Sequence, residues 1–303
     1  MRLNMNKQVP EFLNEILEKQ YGKQITEKII AGYLKQKPVT LRVNTIKTTI
    51  EQVKENLSQN GIEYEEIKWY NSALIIKNVR EEEIRKLKIY ENGEIYLQSL
   101  SSMLPAIVLQ PRENENILDM TAAPGGKTTQ IATITENKAF ITACEKNKIR
   151  AERLKYNLQK QGVGSVNVMT EDARNLSDYF SFEKILLDAP CSGSGTENIF
   201  SKNFSKILIE KSAKTQEILL RKAINILKPG GTMIYSTCSI LKQENEDILN
   251  KVLKNTNMEI VPIELNNEIP VLPVSIDGTI CVAPTELYEG FFMAKIRTNK
   301  KSF

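Results

Sequence analysis

From about residue 94 onward the chain alternates short apolar runs with amphipathic stretches. No other feature restricts the fold as much. Runs at residues 116–120, 139–144, 166–169, 184–187 and 232–235 read as strands, with helical patterns near 126–134, 147–161 and 207–227 between them. Strands that are apolar along their length and alternate with helices predict a parallel sheet covered on both faces. Lys228-Pro229-Gly230-Gly231 marks a helix stop and tight turn before the fifth run. Residues 291–296 predict a late extra strand, antiparallel and at or near the edge.

The first ninety residues have a different character. Phe12, Leu13, Ile16 and Leu17 share one helical face, and Ile25, Ile29, Ile30, Tyr33 and Leu34 repeat the pattern until Pro38 ends it. Residues 39–46 and 73–79 read as strands, and 49–59 and 81–87 as helices. The expected organisation is a compact N-terminal α/β module over residues 1–93 and a larger α/β domain over 94–303.

Composition removes whole classes of chemistry. The chain has no histidine, so it holds no Ser-His-Asp triad, Cys-His dyad or histidine metal ligand. Its four cysteines, at 144, 191, 238 and 281, include no C-x-x-C pair, so neither a disulfide framework nor a metal site is expected. An activated thiol must then rely on a helix N-terminus, a cation or a bound substrate. Net charge is +4, mildly basic and compatible with RNA. No apolar run approaches the ~18 residues of a membrane helix, and residues 1–7 lead into no signal-peptide core, so a cytoplasmic protein is expected.

The first apolar run, Ile117-Leu118-Asp119, enters the turn Thr121-Ala122-Ala123-Pro124-Gly125-Gly126-Lys127. In open parallel sheets ligands bind beyond the carboxyl ends of the strands, and glycines allow close approach of the backbone. Gly126-Lys127-Thr128 resembles the end of a phosphate loop, but Thr121 stands where that loop begins with glycine, and G-x-G-x-x-G is absent. S-adenosyl-L-methionine, which carries no phosphate, is the remaining candidate. Glu145 ends the second run, where a carboxylate can accept both ribose hydroxyls. Asp172 follows the third, where one can accept the adenine amino group. Alone, either acid would read as a solvated loop residue or a helix cap. Arg150, just beyond Glu145, joins the cofactor set or simply pairs with an acid.

Two cysteines sit in short motifs after strand-like runs: Asp188-Ala189-Pro190-Cys191-Ser192 and Ser236-Thr237-Cys238-Ser239. Together with the glycine turn, Leu227-Lys228-Pro229-Gly230-Gly231, Leu41-Arg42-Val43-Asn44-Thr45, Glu244-Asn245-Glu246 and Glu289-Gly290-Phe291-Phe292, they make residues 38–297 resemble the RNA cytosine-C5 methyltransferases of the Fmu/Sun type. The resemblance implies a Rossmann-like S-adenosylmethionine-dependent methyltransferase domain with a small RNA-recognition-like N-terminal module. It further implies that Cys238 attacks the base, that Cys191 helps to release the product, and that Lys127 lies in the cofactor loop. The residue types suit this chemistry independently. A thiolate adding to cytosine C6 makes C5 enamine-like and able to take a methyl group. An acid at N3, placed as Asp188 is, eases that addition. Cys144, within a strand, and Cys281, in an apolar stretch, read as small buried hydrophobes.

The expected partner is RNA, ribosomal RNA ahead of transfer RNA, with the protein acting as a monomer and without a metal. A non-catalytic RNA-binding assembly factor and a DNA cytosine methyltransferase are the rival readings. The intact thiols argue against the first, and the Thr-Cys-Ser motif against the second. Lys202, Lys206, Lys211 and Lys214 form either a solvated helix face or the wall of an RNA groove.

Overall fold

A computed structural model describes residues 8–298. The stretch 1–7 and the tail beyond 298, and with them the outer limits of both expected domains, lie outside the described residues. The chain runs α1 (Glu11–Tyr21), α2 (Lys23–Leu34), β1 (Val39–Val43), α3 (Ile50–Gln59), β2 (Tyr64–Glu66), β3 (Ala73–Ile76), α4 (Glu81–Arg85), α5 (Lys88–Glu91) and β4 (Ile95–Leu97). Then follow α6 (Leu100–Leu109), β5 (Asn116–Asp119), α7 (Gly126–Ile134), β6 (Phe140–Cys144), α8 (Lys148–Lys160), β7 (Val166–Met169), β8 (Phe182–Asp188), α9 (Lys206–Asn225) and β9 (Leu227–Thr237). The last elements are α10 (Glu246–Leu253), β10 (Met258–Val261), β11 (Val271–Leu272), β12 (Ile280–Val282) and β13 (Phe291–Thr298).

The large sheet is Rossmann-like. Its parallel part has the order β7-β6-β5-β8-β9, so the chain reverses direction across the sheet between β5 and β8. Such a switch point opens a crevice at the strand carboxyl ends. Alternate residues serve opposite faces. Leu118, Ile185, Leu187, Met233 and Tyr235 pack into one core with α9 and α10. Ile117, Leu186 and Ile234 pack into another with α6 and α7. Both faces are covered, as continuous apolar runs require.

The final strand is antiparallel, as expected, and lies near one edge rather than at it. β13 pairs with β9 on one side and with β10 and β12 on the other. Its outer partners, β10 and β12, have four and three residues, too short to give a period-2 signal. The Lys228-Pro229-Gly230-Gly231 turn is an excursion within β9: Phe182 pairs with Leu227, yet Lys184 pairs with Thr232.

The boundary expected at residue 93 falls one strand too early. β4 pairs with β1 and completes a four-stranded antiparallel sheet, β2-β3-β1-β4, with βαββαβ connectivity. That is the ferredoxin-like arrangement. The two N-terminal helices do not belong to its core. Leu13, Leu17, Ile29 and Tyr33 pack with the catalytic sheet and α9, whereas Leu41, Val43, Leu74 and Ile76 form the small module's own core. RNA-recognition modules stack bases on an open sheet face. Here the opposite face, with Ala73 and Ile75, is buried against Leu100, Leu104, Tyr288 and Phe291. The module is therefore no stacking platform of that kind.

Two polar residues, Arg42 in β1 and Asn44 just after it, fasten the module to the large domain. Arg42 is fully buried and donates to Gln98 Oε1 at 3.2 Å, Thr133 Oγ1 at 3.2 Å and Thr129 Oγ1 at 3.0 Å. Burial pulls its guanidinium below the ordinary arginine value. Asn44 donates to the Gly93 and Gln161 carbonyls, each at 2.8 Å. Thr129 and Thr133 lie on α7, the helix that opens after the glycine turn. Replacing Arg42→Ala removes three bonds from a charged donor and empties a buried volume. It should cost about 3 kcal/mol or more. Urea unfolding would show this as a lower midpoint, and an unchanged midpoint would contradict it.

Candidate active site

The site lies at the switch point. β8 and β9 are parallel neighbours, with Asp188 opposite Ser236. The segments leaving them therefore run side by side, and the Ala189 N–H donates to the Ser236 carbonyl at 2.8 Å. Three residues beyond Asp188 and two beyond Ser236, Cys191 Sγ and Cys238 Sγ stand 2.9 Å apart. Both thiols are free and partly exposed. The loops carrying them meet again where Gly195 N donates to the Cys238 carbonyl at 2.9 Å and Gly290 N donates to the Gly195 carbonyl at 2.7 Å. A Cβ on Gly195 would lie 2.0 Å from the Gly290 carbonyl oxygen, so this crossing needs glycine.

The glycine turn faces them. Gly125 has φ 108°, and a Cβ there would strike Leu154 Cδ1 at 2.9 Å. Asp119, buried at the end of β5, accepts from Thr128 Oγ1 at 2.7 Å and Thr121 N at 3.4 Å, so it holds the turn against the start of α7. Burial pushes its carboxyl up to about 6. Thr121 Oγ1 donates to the Asp188 carbonyl at 2.7 Å, joining the two loops. The Asp188 side chain accepts from Ser236 Oγ at 2.8 Å and pairs with Lys127 Nζ at 2.7 Å. Lys127 also donates to Ser102 Oγ at 2.7 Å and lies 5.5 Å from the Phe291 ring centre. Lys127 is thus turned inward.

A cavity of about 250 Å³ joins these parts. Thr121, Ala123, Glu145, Arg150, Asp172, Asp188, Cys191 and Cys238 all line it. A second cavity of about 260 Å³, lined by Ala122, Pro124, Gly126, Lys127 and Tyr96, shares Thr121, Ala123 and Asp188 with the first. Gly125 lines neither cavity in the structure; it supports the turn from behind. Glu145 is buried, accepts from Asn147 N at 2.9 Å and lies 3.4 Å from Arg150 Nη1. Arg150 reaches back to the Ala123 carbonyl at 2.7 Å. Asp172 caps a short turn and is gripped by Arg174, which holds its carboxyl below the usual range. Asp172 is a cap, Glu145 is buried rather than solvated, Arg150 pairs with it, and both acids still face the cavity.

Several supporting residues have roles that the sequence does not disclose. Glu244 is fully buried and accepts from Ser192 N, Ser192 Oγ and Ser239 Oγ at 2.7, 2.6 and 2.6 Å. Burial pushes its carboxyl up against these donors, which favour the charged form. Tyr33 donates to the Ser194 carbonyl at 2.6 Å, and Gln20 and Tyr21 donate to the Ile240 carbonyl at 2.9 and 2.6 Å. The N-terminal helices therefore brace both cysteine loops from outside. Nothing in their apolar periodicity signals this. Lys202, Lys206, Lys211 and Lys214 are all exposed, and Lys206 also extends over the Phe12 ring of α1 at 5.7 Å. Cys144 and Cys281 are buried, and burial pushes the Cys144 thiol up to about 12.

The residues fit S-adenosylmethionine. Acids stand at successive strand ends to accept from hydroxyl and amino groups, a glycine turn allows close approach, and the loop lacks the leading glycine of a phosphate site. Fold and site together define an S-adenosylmethionine-dependent methyltransferase. The model described as 16S rRNA methyltransferase RsmB/F matches residues 106–297, and an RsmF/B-like, ferredoxin-like domain matches residues 9–81. The chain belongs to this family of RNA cytosine-C5 methyltransferases. A tRNA (cytosine(49)-C(5))-methyltransferase of Pyrococcus abyssi is 34% identical over 94% of this chain and 96% of its own. Ribosomal RNA small subunit methyltransferase F of Shewanella amazonensis is 33% identical over 86% of this chain, which spans 58% of that relative. The crystal structure of NSun6 from Pyrococcus horikoshii with SFG, an S-adenosylmethionine analogue, superposes with a TM-score of 0.87 at 26% identity, covering 96% of this chain and 99% of that one.

Contact with the Cys238 sulfur, and then burial, hold the Cys191 thiol well above the ordinary cysteine value. Cys191 should therefore resist iodoacetamide at about pH 8, near the free-cysteine value, where thiolate-forming cysteines react readily. Mass-spectrometric mapping that finds Cys191 alkylated first among the four cysteines would contradict this.

Proposed function

We propose that this chain methylates C5 of a cytosine in RNA, as a cytoplasmic monomer, through a covalent adduct between Cys238 and C6. The observation carrying this reading is the contact of two free thiols at the mouth of the cofactor cavity. The family resemblance assigns attack to Cys238 and product release to Cys191, whose sulfur stands 2.9 Å from it. Bond formation from Cys238 Sγ to C6 moves the ring π pair to C5, which then bonds carbon. Loss of the C5 proton and cleavage of the sulfur–C6 bond restore the ring. Cys191, beside the departing sulfur, assists this last stage. The Asp188 carboxylate, paired with Lys127, would accept from the N3–H of a base that has taken a proton from solvent, which eases addition.

Thr121, Ala122, Ala123, Pro124, Gly126 and Lys127 would cradle S-adenosylmethionine, with Gly125 supporting the turn from behind, Glu145 and Asp172 accepting its ribose hydroxyls and adenine amino group, and Arg150 orienting Glu145. When bound, the cofactor supplies an electrophilic methyl group on a sulfonium. Glu145→Ala and Asp172→Ala should each weaken its binding about ten- to a hundredfold, as expected for a lost charged hydrogen bond. Calorimetry showing unchanged affinity for both would remove the assignment.

Ribosomal RNA is the first target reading, supported by the description of the matching family. The near full-length likeness to an archaeal transfer RNA enzyme favours transfer RNA as the second. In either RNA the base must leave its stack. Bisulfite sequencing of cellular RNA with and without the gene should reveal one cytosine that depends on it. Cys238→Ala should abolish methylation with cofactor binding intact, and Cys191→Ala should leave a protein–RNA adduct on a denaturing gel. Normal methylation by Cys238→Ala, with no adduct from Cys191→Ala, would reverse the two roles. Methyl transfer to DNA in preference to every RNA would overturn the substrate class. Cofactor binding without any transfer would favour a non-catalytic RNA-binding protein.

A further inference from the structure

The motif Glu244-Asn245-Glu246 has no part in the chemistry above, yet its first residue reaches both cysteine loops. Glu244 Oε2 accepts from Ser192 Oγ and from Ser239 Oγ, each at 2.6 Å. Ser192 follows Cys191 and Ser239 follows Cys238. Glu244 Oε1 accepts from Ser192 N at 2.7 Å and from Gln216 Nε2 at 3.3 Å. Gln216, itself fully buried, also donates to the Pro190 carbonyl at 2.9 Å, so the residue before Cys191 is tied to the same network. The Glu244 backbone is pinned from below, its carbonyl accepting from Tyr235 OH at 2.6 Å. Ser194 Oγ lies 2.7 Å from Ser239 Oγ and extends the network two residues further along the Cys191 loop.

All four partners of the carboxylate are uncharged. Burying a carboxylate without a cation is costly, and an apolar residue of similar volume usually serves stability as well or better. A carboxylate, however, offers about four acceptor sites in one plane, enough to hold several donors from two chain segments at once. We infer that Glu244 is the positioning residue of the thiol pair, setting where Cys191 and Cys238 stand by gripping the residue after each. This rests on the reading that those two cysteines react.

The test compares Glu244→Ala, Glu244→Gln and Ser239→Ala with wild type. Dibromobimane, which fluoresces once both its arms have alkylated thiols, probes the pair without RNA, and mass spectrometry assigns the bridge to Cys191 and Cys238. Glu244→Ala should slow bridging and methyl transfer about ten- to a hundredfold while S-adenosylmethionine affinity stays unchanged. Glu244→Gln keeps an acceptor for Ser192 N and an amide that both serine hydroxyls can accept from, so it should recover most of both rates. If Glu244→Ala does not fold, Ser239→Ala carries the test and should slow bridging severalfold. Wild-type bridging rates in Glu244→Ala, or in Ser239→Ala where that variant stands in, would overturn the inference. So would a Gln variant no better than Ala, with cofactor affinity falling in step with activity. Because bridging needs no RNA, it judges the positioning role, while methyl transfer by the cysteine variants judges the reading beneath it.

Discussion

The parallel pairing of β8 with β9 is the constraint on which the site depends. With Asp188 opposite Ser236, two loops leave the sheet side by side, and their cysteines, 47 residues apart in sequence, meet. A shift of one residue in that register would send one strand's side chains to the other face. It would also part Ser236 from Asp188 and one thiol from the other. The same pairing sets Asp188 beside the turn after β5, so a single crevice holds the cofactor residues and the thiols together.

Buried polar groups, rather than apolar packing, hold that crevice in shape. Asp119 fixes the glycine turn, Thr121 ties the turn to the Asp188 loop, and Glu244 ties the two cysteine loops to each other. Each unmet group in such a network carries a desolvation cost, so the network is stable only as a whole. The N-terminal part of the chain extends it. Tyr33, Gln20 and Tyr21 reach the backbone of both cysteine loops, and Arg42 joins the small sheet to α7. The ferredoxin-like module thus acts first as a structural partner of the catalytic domain, with its inner sheet face spent on that packing.

The parallel strands and their helices were legible in the sequence because buried strands are apolar throughout and the helices between them are amphipathic. Elements that depend on partners were not. β4 has three residues and is recognisable only through its pairing with β1. Helix α6 is apolar nearly all round and contains Pro105, so it lacks a helical contrast between faces. The interior position of β13 follows from β10 and β12, which are too short to read. At the site, the cysteines and strand-end acids were legible because their chemistry demands particular residue types at strand ends. The roles of Glu244, Tyr33 and Asp119 were not legible, although Glu244 sits in a motif and Asp119 ends a strand, because they act on backbone and hydroxyl groups that only the fold brings near. Lys127 shows both sides of this. Its place in the turn was plain, but its turn toward Asp188 needed coordinates.

The central claim is that the thiol after β9 is the one that bonds the base. Fluorine at C5 blocks the final proton loss, so RNA carrying 5-fluorocytidine should stay attached to the wild-type protein in the presence of S-adenosylmethionine. Digestion and tandem mass spectrometry of that conjugate would locate the bond. The nucleotide is expected on Cys238, with Cys191 unmodified. A nucleotide on Cys191, or a stable conjugate at neither cysteine while methylation of ordinary cytidine proceeds, would contradict the account.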